Sequence, residues 1–165
     1  MRRMIKIIDA VNNAIAHILC WLSLLLMVIV VYEVVARYLF NSPTLWSMEI
    51  NQFILGVISL VAGGYCLLKD GHVRVDLFYP KFSPRTVAIV EMCTYPFVLM
   101  FCGVLIYYGG TEFYYALIEN RVTNSVMEFP IWPMWLAVPL GGFFLGIQII
   151  ALYMRHIIAL TNKTI

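Results

Sequence analysis

The sequence predicts an all-α integral membrane protein: four transmembrane helices with short loops and amphipathic interfacial segments, forming a single membrane domain over residues 1–165. Three observations predict it. The chain is 62% hydrophobic and only 12% charged, where soluble chains carry roughly 25% charged residues. Its charges leave four long gaps: 10–32, 50–68, 92–111 and 129–154, of 23, 19, 20 and 26 residues. Each gap matches the ~20 residues that carry a helix across a ~30 Å hydrocarbon core. Lipid offers no hydrogen bonds, so each span must satisfy its own backbone, and short loops leave helices as the solution.

The spans are placed at about 11–37, 46–68, 85–111 and 132–155. Met1-Arg2-Arg3 before an apolar run is reminiscent of a signal peptide. The run far exceeds a signal core of ~7–15 residues, so the first span is expected to be retained. Ahead of it, Ile5, Ile8, Val11 and Ile15 recur at helical spacing, while Arg2, Arg3, Lys6 and Asp9 lie largely elsewhere. That segment reads as an amphipathic turn or two resting on the membrane surface. Asn41-Ser42-Pro43 reads as a turn, with Ser42 as N-cap and Pro43 at the first helical position of the second span. Ser83-Pro84 repeats the device before the third span, and Pro96 and Pro139 are expected to bend spans three and four. The connection over 112–131 is the longest, and no connection is long enough for a domain of its own.

Orientation follows from basic residues, which short cytoplasmic loops retain. With four spans, both termini and the middle loop share a side. That side holds Arg2, Arg3, Lys6, Lys69, Arg74, Lys81, Arg85, Arg155 and Lys163, against Arg37 and Arg121 opposite. The N- and C-termini are therefore expected in the cytoplasm. The cytoplasmic run KDGHVRVD (69–76) turns through Asp70-Gly71. It reads as a solvated hairpin loop or as an interfacial segment whose apolar side contacts lipid headgroups. Tyr32, Tyr38, Phe40 and Trp46, then Tyr107, Tyr108, Phe113, Tyr114, Tyr115, Trp132 and Trp135, fit an aromatic belt at the outer interface.

Chemistry-bearing residues are few. Glu33 and Arg37 share a helix face at i and i+4, either as a buried pair against a partner helix or as a surface anchor. Glu49, Asn51 and Gln52 lie near enough in the pattern to join them. Glu91 and Gln148 are further polar points suited to interhelical hydrogen bonds. Gly142 and Gly146 form a G-x-x-x-G, and Ser59 and Gly63 repeat the small-residue spacing that lets helices approach in lipid. Cys20, Cys66, Cys93 and Cys102 include no C-x-x-C, and His17, His72 and His156 are scattered. No nucleophile elbow, phosphate loop or zinc motif is present, so catalysis, a metal and a cofactor are not expected. The basic residues follow topology rather than forming a nucleic-acid patch. Four spans without midplane polar sites or repeated interrupted helices lack the parts of a self-sufficient carrier.

The stretches EVVARYLFNSPTLWSMEI (33–50), GGYCLLKDGHVRVDLFYPKFSPR (63–85) and FPIWPMWLAVPLGGFFLGIQ (129–148) resemble the small, DctQ-like membrane subunit of tripartite ATP-independent periplasmic (TRAP) transporters. The most specific part is Gly71, His72, Val73, Val75 and Asp76 around Arg74, followed by Ser83-Pro84-Arg85. Arg37-Tyr38, Phe40-Asn41, Trp46 and Glu49 agree, while Met48 stands where relatives often carry a second acid. The resemblance implies a bacterial inner-membrane subunit that binds a large multi-span membrane subunit. It also implies a periplasmic substrate-binding protein that delivers an organic acid, such as a C4-dicarboxylate or sialic acid. The large subunit would hold the substrate and sodium sites and use the sodium gradient; the small one would be a fixed scaffold without a substrate site.

Two other readings remain at this point. One is a small homodimeric proton-coupled exporter titrating Glu33, against which Arg37 argues because an ion-paired carboxylate resists protonation. The other is a redox or haem-binding membrane subunit. For the topology, Lys81→Cys and Asn120→Cys on a cysteine-free background are expected to react with an impermeant thiol reagent from opposite sides. Labelling of position 81 from outside intact cells would refute it.

Overall fold

Nothing between Arg2 and Leu39 stops a helix: the stretch holds no Gly and no Pro, and its apolar residues fold back on themselves in lipid. The computed structural model, which describes residues 2–69, 71 and 84–161, makes it one 38-residue helix, α1 (Arg2–Leu39). At 1.5 Å per residue it is roughly 57 Å long, well beyond the ~30 Å hydrocarbon width. The N-terminal amphipathic segment is thus the first turns of α1 itself. α2 (Trp46–Val61) and α3 (Gly63–Leu68) make one further candidate span, Trp46–Leu68, interrupted at Ala62. Ala62 N–H still donates to Ile58 O at 3.0 Å and Cys66 N–H to Ala62 O at 2.9 Å, so the backbone stays satisfied across the break. α4 (Pro84–Ile118) and α5 (Trp132–Thr161) complete the four helices long and apolar enough to cross a membrane. Pro96 and Pro139 lie inside helices that continue on both sides of them.

The start of α2 departs from expectation. Ser42 is not its N-cap, since α2 begins at Trp46 after Leu45, which makes no side-chain cap. The diversion has a local cause. Asn41 takes φ 52°, a conformation asparagine tolerates, and Ser42 N–H closes the turn onto Ala36 O at 3.0 Å. Thr44 then turns back to the Glu33 carboxylate, so its N–H is consumed outside the helix. Pro84 does open α4, as proline at a first helical position should. Ser83 and the candidates His72, Arg74 and Asp76 lie outside the described residues.

Packing centres on α5, which touches α1, α2, α3 and α4, while α4 packs chiefly on α5. Tyr95, Cys102, Ile149 and Leu152 form the buried α4–α5 core, with Leu67, Val98, Leu99 and Leu145 around it. α1 meets its neighbours along a seam of seven-residue steps: Ile5, Asn12, Leu19, Leu26 and Glu33 all face inward, at least partly covered. That period is a coiled-coil seam, and two of its five knobs are polar. Val11 is exposed, while Asn12 beside it faces inward.

Glycines set the closest approaches. A Cβ on Gly141 would lie 2.5 Å from Leu60 O of α2, and one on Gly64 would lie 2.8 Å from Phe144 O of α5. Gly142 faces α4, with Leu105 Cβ 3.0 Å and Cys102 O 3.2 Å from its notional Cβ. Gly109 makes room for Pro139, since its Cβ would meet Pro139 Cδ at 2.9 Å. Gly146 needs no such room: a Cβ there would sit 3.6 Å from Cys102 Cβ, an ordinary contact. Of the Gly142–Gly146 motif, only the first glycine is a sterically tight contact, and its neighbour Gly141 is tighter still. Gly63 lies against Leu145 of α5, whereas Ser59 is exposed. Gly141→Ala, which drives a methyl into backbone, should lower the detergent melting temperature by several degrees. Gly110→Ala, with nothing within 4 Å of the added carbon, should leave it unchanged or raise it slightly.

Candidate functional site

Two polar clusters lie at opposite ends of α1. At the end carrying the α1–α2 turn, Glu33 Oε1 accepts from Arg37 Nε at 3.2 Å and Nη2 at 2.7 Å. Glu33 Oε2 accepts from Thr44 N–H at 3.3 Å and from the Thr44 hydroxyl. Four donors fill the four acceptor positions of a carboxylate. The pair is both ion pair and turn clasp, because Thr44 belongs to the connection to α2. Tyr32 stacks on Trp46 beside it, centroids 5.9 Å apart and planes at 26°, pinning the two helix ends together. A cleft of about 270 Å³ opens there, lined by Val30, Glu33, Val34, Arg37, Tyr38, Ser47, Met48 and Asn51.

Glu49, expected near Glu33, takes another direction. Its Oε2 accepts from Thr123 Oγ1 at 2.9 Å, which ties the start of α2 to the α4–α5 connection. Thr123 is the organiser of that connection. Its N–H donates to Phe129 O at 2.8 Å, its Oγ1 accepts from Phe129 N–H at 3.1 Å, and Val122 pairs with Pro130 in an antiparallel bridge. Arg121 joins Glu119 at 2.7 Å and Glu112 at 3.1 Å on the exposed side, and these acids, Glu119 first, hold its guanidinium more firmly protonated than usual. Phe113 and Trp132 meet edge to face at 6.4 Å across the same connection. Gln52 stays exposed and joins none of this.

The second cluster, at the end carrying both termini, joins α1 to α5. Asn12 Nδ2 donates to Gln148 Oε1 at 2.8 Å, and Gln148 Nε2 donates to Asp9 Oδ1 at 3.2 Å. Asp9 Oδ2 completes an ion pair with Arg155. Asn12 and Gln148 are buried, at 1% and 0% exposed. Gly64 of α3 lies against them: a Cβ there would fall 2.3 Å from Asn12 Oδ1. Of these residues, sequence reasoning singled out Gln148 and missed Asp9, Asn12, Arg155 and Gly64 as its partners. A signal was present, since Asp9 and Asn12 are three apart and Gln148 and Arg155 seven apart, each pair on one helix face.

Both clusters spend most of their polar groups on one another, Asn12 Oδ1 excepted, and the described residues bring together no set of convergent free groups at mid-depth. Residues 26–158 match the profile of a family described as "Tripartite ATP-independent periplasmic transporters, DctQ component". The chain belongs to this family. It is similar to the sialic acid TRAP transporter small permease protein SiaQ of Vibrio cholerae serotype O1, 23% identical over 139 residues, covering 82% of this chain and 76% of the relative. It is similar also to the ectoine TRAP transporter small permease protein TeaB of Halomonas elongata, 26% identical over 145 residues, 86% of this chain and 73% of the relative. A shorter likeness, 23% over 99 residues, joins it to the C4-dicarboxylate TRAP transporter small permease protein DctQ of Vibrio cholerae, covering 60% of this chain and 42% of the relative. The chain is thus a small TRAP permease subunit and an inner-membrane protein. The profile match takes in α1 only from residue 26 onward, together with the glycine contacts and both polar clusters except Asp9 and Asn12.

For the buried amides, Gln148→Leu should remove both interhelical bonds, leaving one Asp9 oxygen unpaired and the Asn12 amide with only its 3.3 Å bond to Ile8 O. A loss of about 1–3 kcal/mol in subunit stability is expected, read as a lower melting temperature or denaturant midpoint. Gln52→Leu, at an exposed position, should show no such loss.

Proposed function

We propose that this subunit is the fixed membrane scaffold of a secondary-active importer and carries no solute itself. It works with a large membrane subunit and a periplasmic binding protein. The large subunit holds the solute and uses the sodium gradient, while this chain anchors it, with termini and the 69–85 loop in the cytoplasm. One observation carries the reading: the strong polar groups described sit at the two ends of the bundle and are bonded to each other. A carrier must replace the hydration of its solute, and an ionised carboxylate taken unpaired into a low-dielectric site costs far more than a bundle of this size can offset.

The solute is proposed to be an organic acid. Three relatives named for different solutes, sialic acid, ectoine and a C4-dicarboxylate, are 23%, 26% and 23% identical to this chain. All three solutes carry a carboxylate and otherwise share little, which fits a subunit whose surface does not choose among them. Against the proton-coupled exporter stands the Glu33 carboxylate, whose acceptor positions are all occupied by Arg37 and Thr44.

Reconstitution tests this. Proteoliposomes holding this subunit alone should take up no sialic acid, ectoine or C4-dicarboxylate under an inward sodium gradient. Addition of the large subunit, with the binding protein outside, should restore uptake of the system's own solute. Saturable, gradient-driven uptake by the subunit alone would overturn the scaffold reading.

A further inference from the structure

The cleft between the ends of α1 and α2 is incompletely satisfied from within the chain. Glu33 is saturated, but Arg37 uses only Nε and Nη2 on it, and the side chain is 49% exposed. Ser47, 0% exposed, lines the cleft with its hydroxyl on the side of the Glu33 carboxylate. Asn51 Oδ1, one turn further along α2, is buried without a partner. Around these groups stand exposed apolar side chains: Val30, Val34, Tyr38 and Met48. The site therefore lacks an acceptor beside Arg37 and a donor beside Asn51, within an apolar rim.

That inventory selects among occupants. A lipid acyl chain would fill the volume and leave every polar atom unpaired, at a cost of about 1–3 kcal/mol for each buried one. A bare anion would accept from Arg37 but give nothing to Asn51 Oδ1, and it would face the Glu33 carboxylate. A cation finds Glu33 already committed. A second copy of this chain across a two-fold axis would set Arg37 of one against Asn51 Oδ1 of the other, an occupant that crosslinking from Val34 and Met48 distinguishes. What fits is a neutral side chain that both donates and accepts, an amide or a hydroxyl, on a helix whose neighbouring residues are apolar. Such groups join helices in lipid.

We infer that this cleft is the docking site on the small subunit for a transmembrane helix of the large subunit, which inserts an amide- or hydroxyl-bearing side chain between Arg37, Ser47 and Asn51. This rests on the scaffold reading above and assigns it a surface. In isolation the subunit holds Asn51 Oδ1 unpaired, so its removal should not weaken the subunit; in the complex it becomes paired, so its removal should.

The test uses the assembled complex. A photoreactive benzoylphenylalanine at Val34 or at Met48 should crosslink to the large subunit, and one at Tyr108 on α4, also exposed, should do so far less. Asn51→Leu should cut recovery of the large subunit on the tagged small subunit by roughly tenfold, as one or two lost hydrogen bonds would. The isolated variant should melt no lower than the parent. Crosslinks from Val34 and Met48 to lipid or to a second copy, or equal yields from Tyr108, would overturn the site while co-purification preserved the scaffold reading. Unchanged recovery of the Asn51→Leu complex would overturn it too, as would an isolated variant that melts lower. Failure of the parent subunits to co-purify at all would overturn both.

Discussion

The lack of water in the hydrocarbon core governs this fold. A polar group there must find a partner within the protein, and a long, almost wholly apolar helix such as α1 gains little from hydrophobic exclusion against neighbours as apolar as the lipid. Specific bonds at its ends hold it instead. The Glu33–Arg37–Thr44 clasp fixes one end to the start of α2, and Asp9 and Asn12 fix the other to Gln148 and Arg155 of α5. Slippage by one residue would turn Asn12 and Glu33 out of the seam together, because they stand three heptads apart on it. Polar knobs of this kind specify register.

Between the clasps, close contact does the work. Gly141 against Leu60, Gly64 against Phe144 and Gly142 against Leu105 and Cys102 bring backbones near enough for dispersion to add up over several turns. These contacts converge on α5, which explains its place as the helix that all others touch. Gly109 opposite Pro139 shows how the proline ring is accommodated: the partner helix carries no side chain where the ring approaches.

A bundle locked at both ends and tight in the middle is suited to staying still. That suits the scaffold role proposed for it. The connection over 119–131 extends the same economy outside the bundle. Thr123 serves at once its own β-bridged loop and Glu49 of α2, so one hydroxyl couples the two hairpins. Asn51 Oδ1 is an exception to this satisfaction at the same end of the molecule, and Asn51 lines the α1–α2 cleft.

The spacing of charges alone determined the number of helices long and apolar enough to cross a membrane, because hydrocarbon thickness and backbone satisfaction favour a helix wherever a ~20-residue apolar gap occurs. The Glu33–Arg37 pairing was equally legible, since it depends on local helical periodicity. Pairings between helices were not. Gln148 is one polar residue in an apolar span until folding sets it 2.8 Å from Asn12, 136 positions away. Glu49 reads as a neighbour of Glu33 until helix rotation turns it towards Thr123. Gly141 and Gly146 carry the same side chain, yet only the first faces a backbone carbonyl. Helical periodicity gives the face of one helix relative to itself. Which neighbour that face meets, and at what height, is fixed only when all the helices pack together, and there the tertiary structure decided.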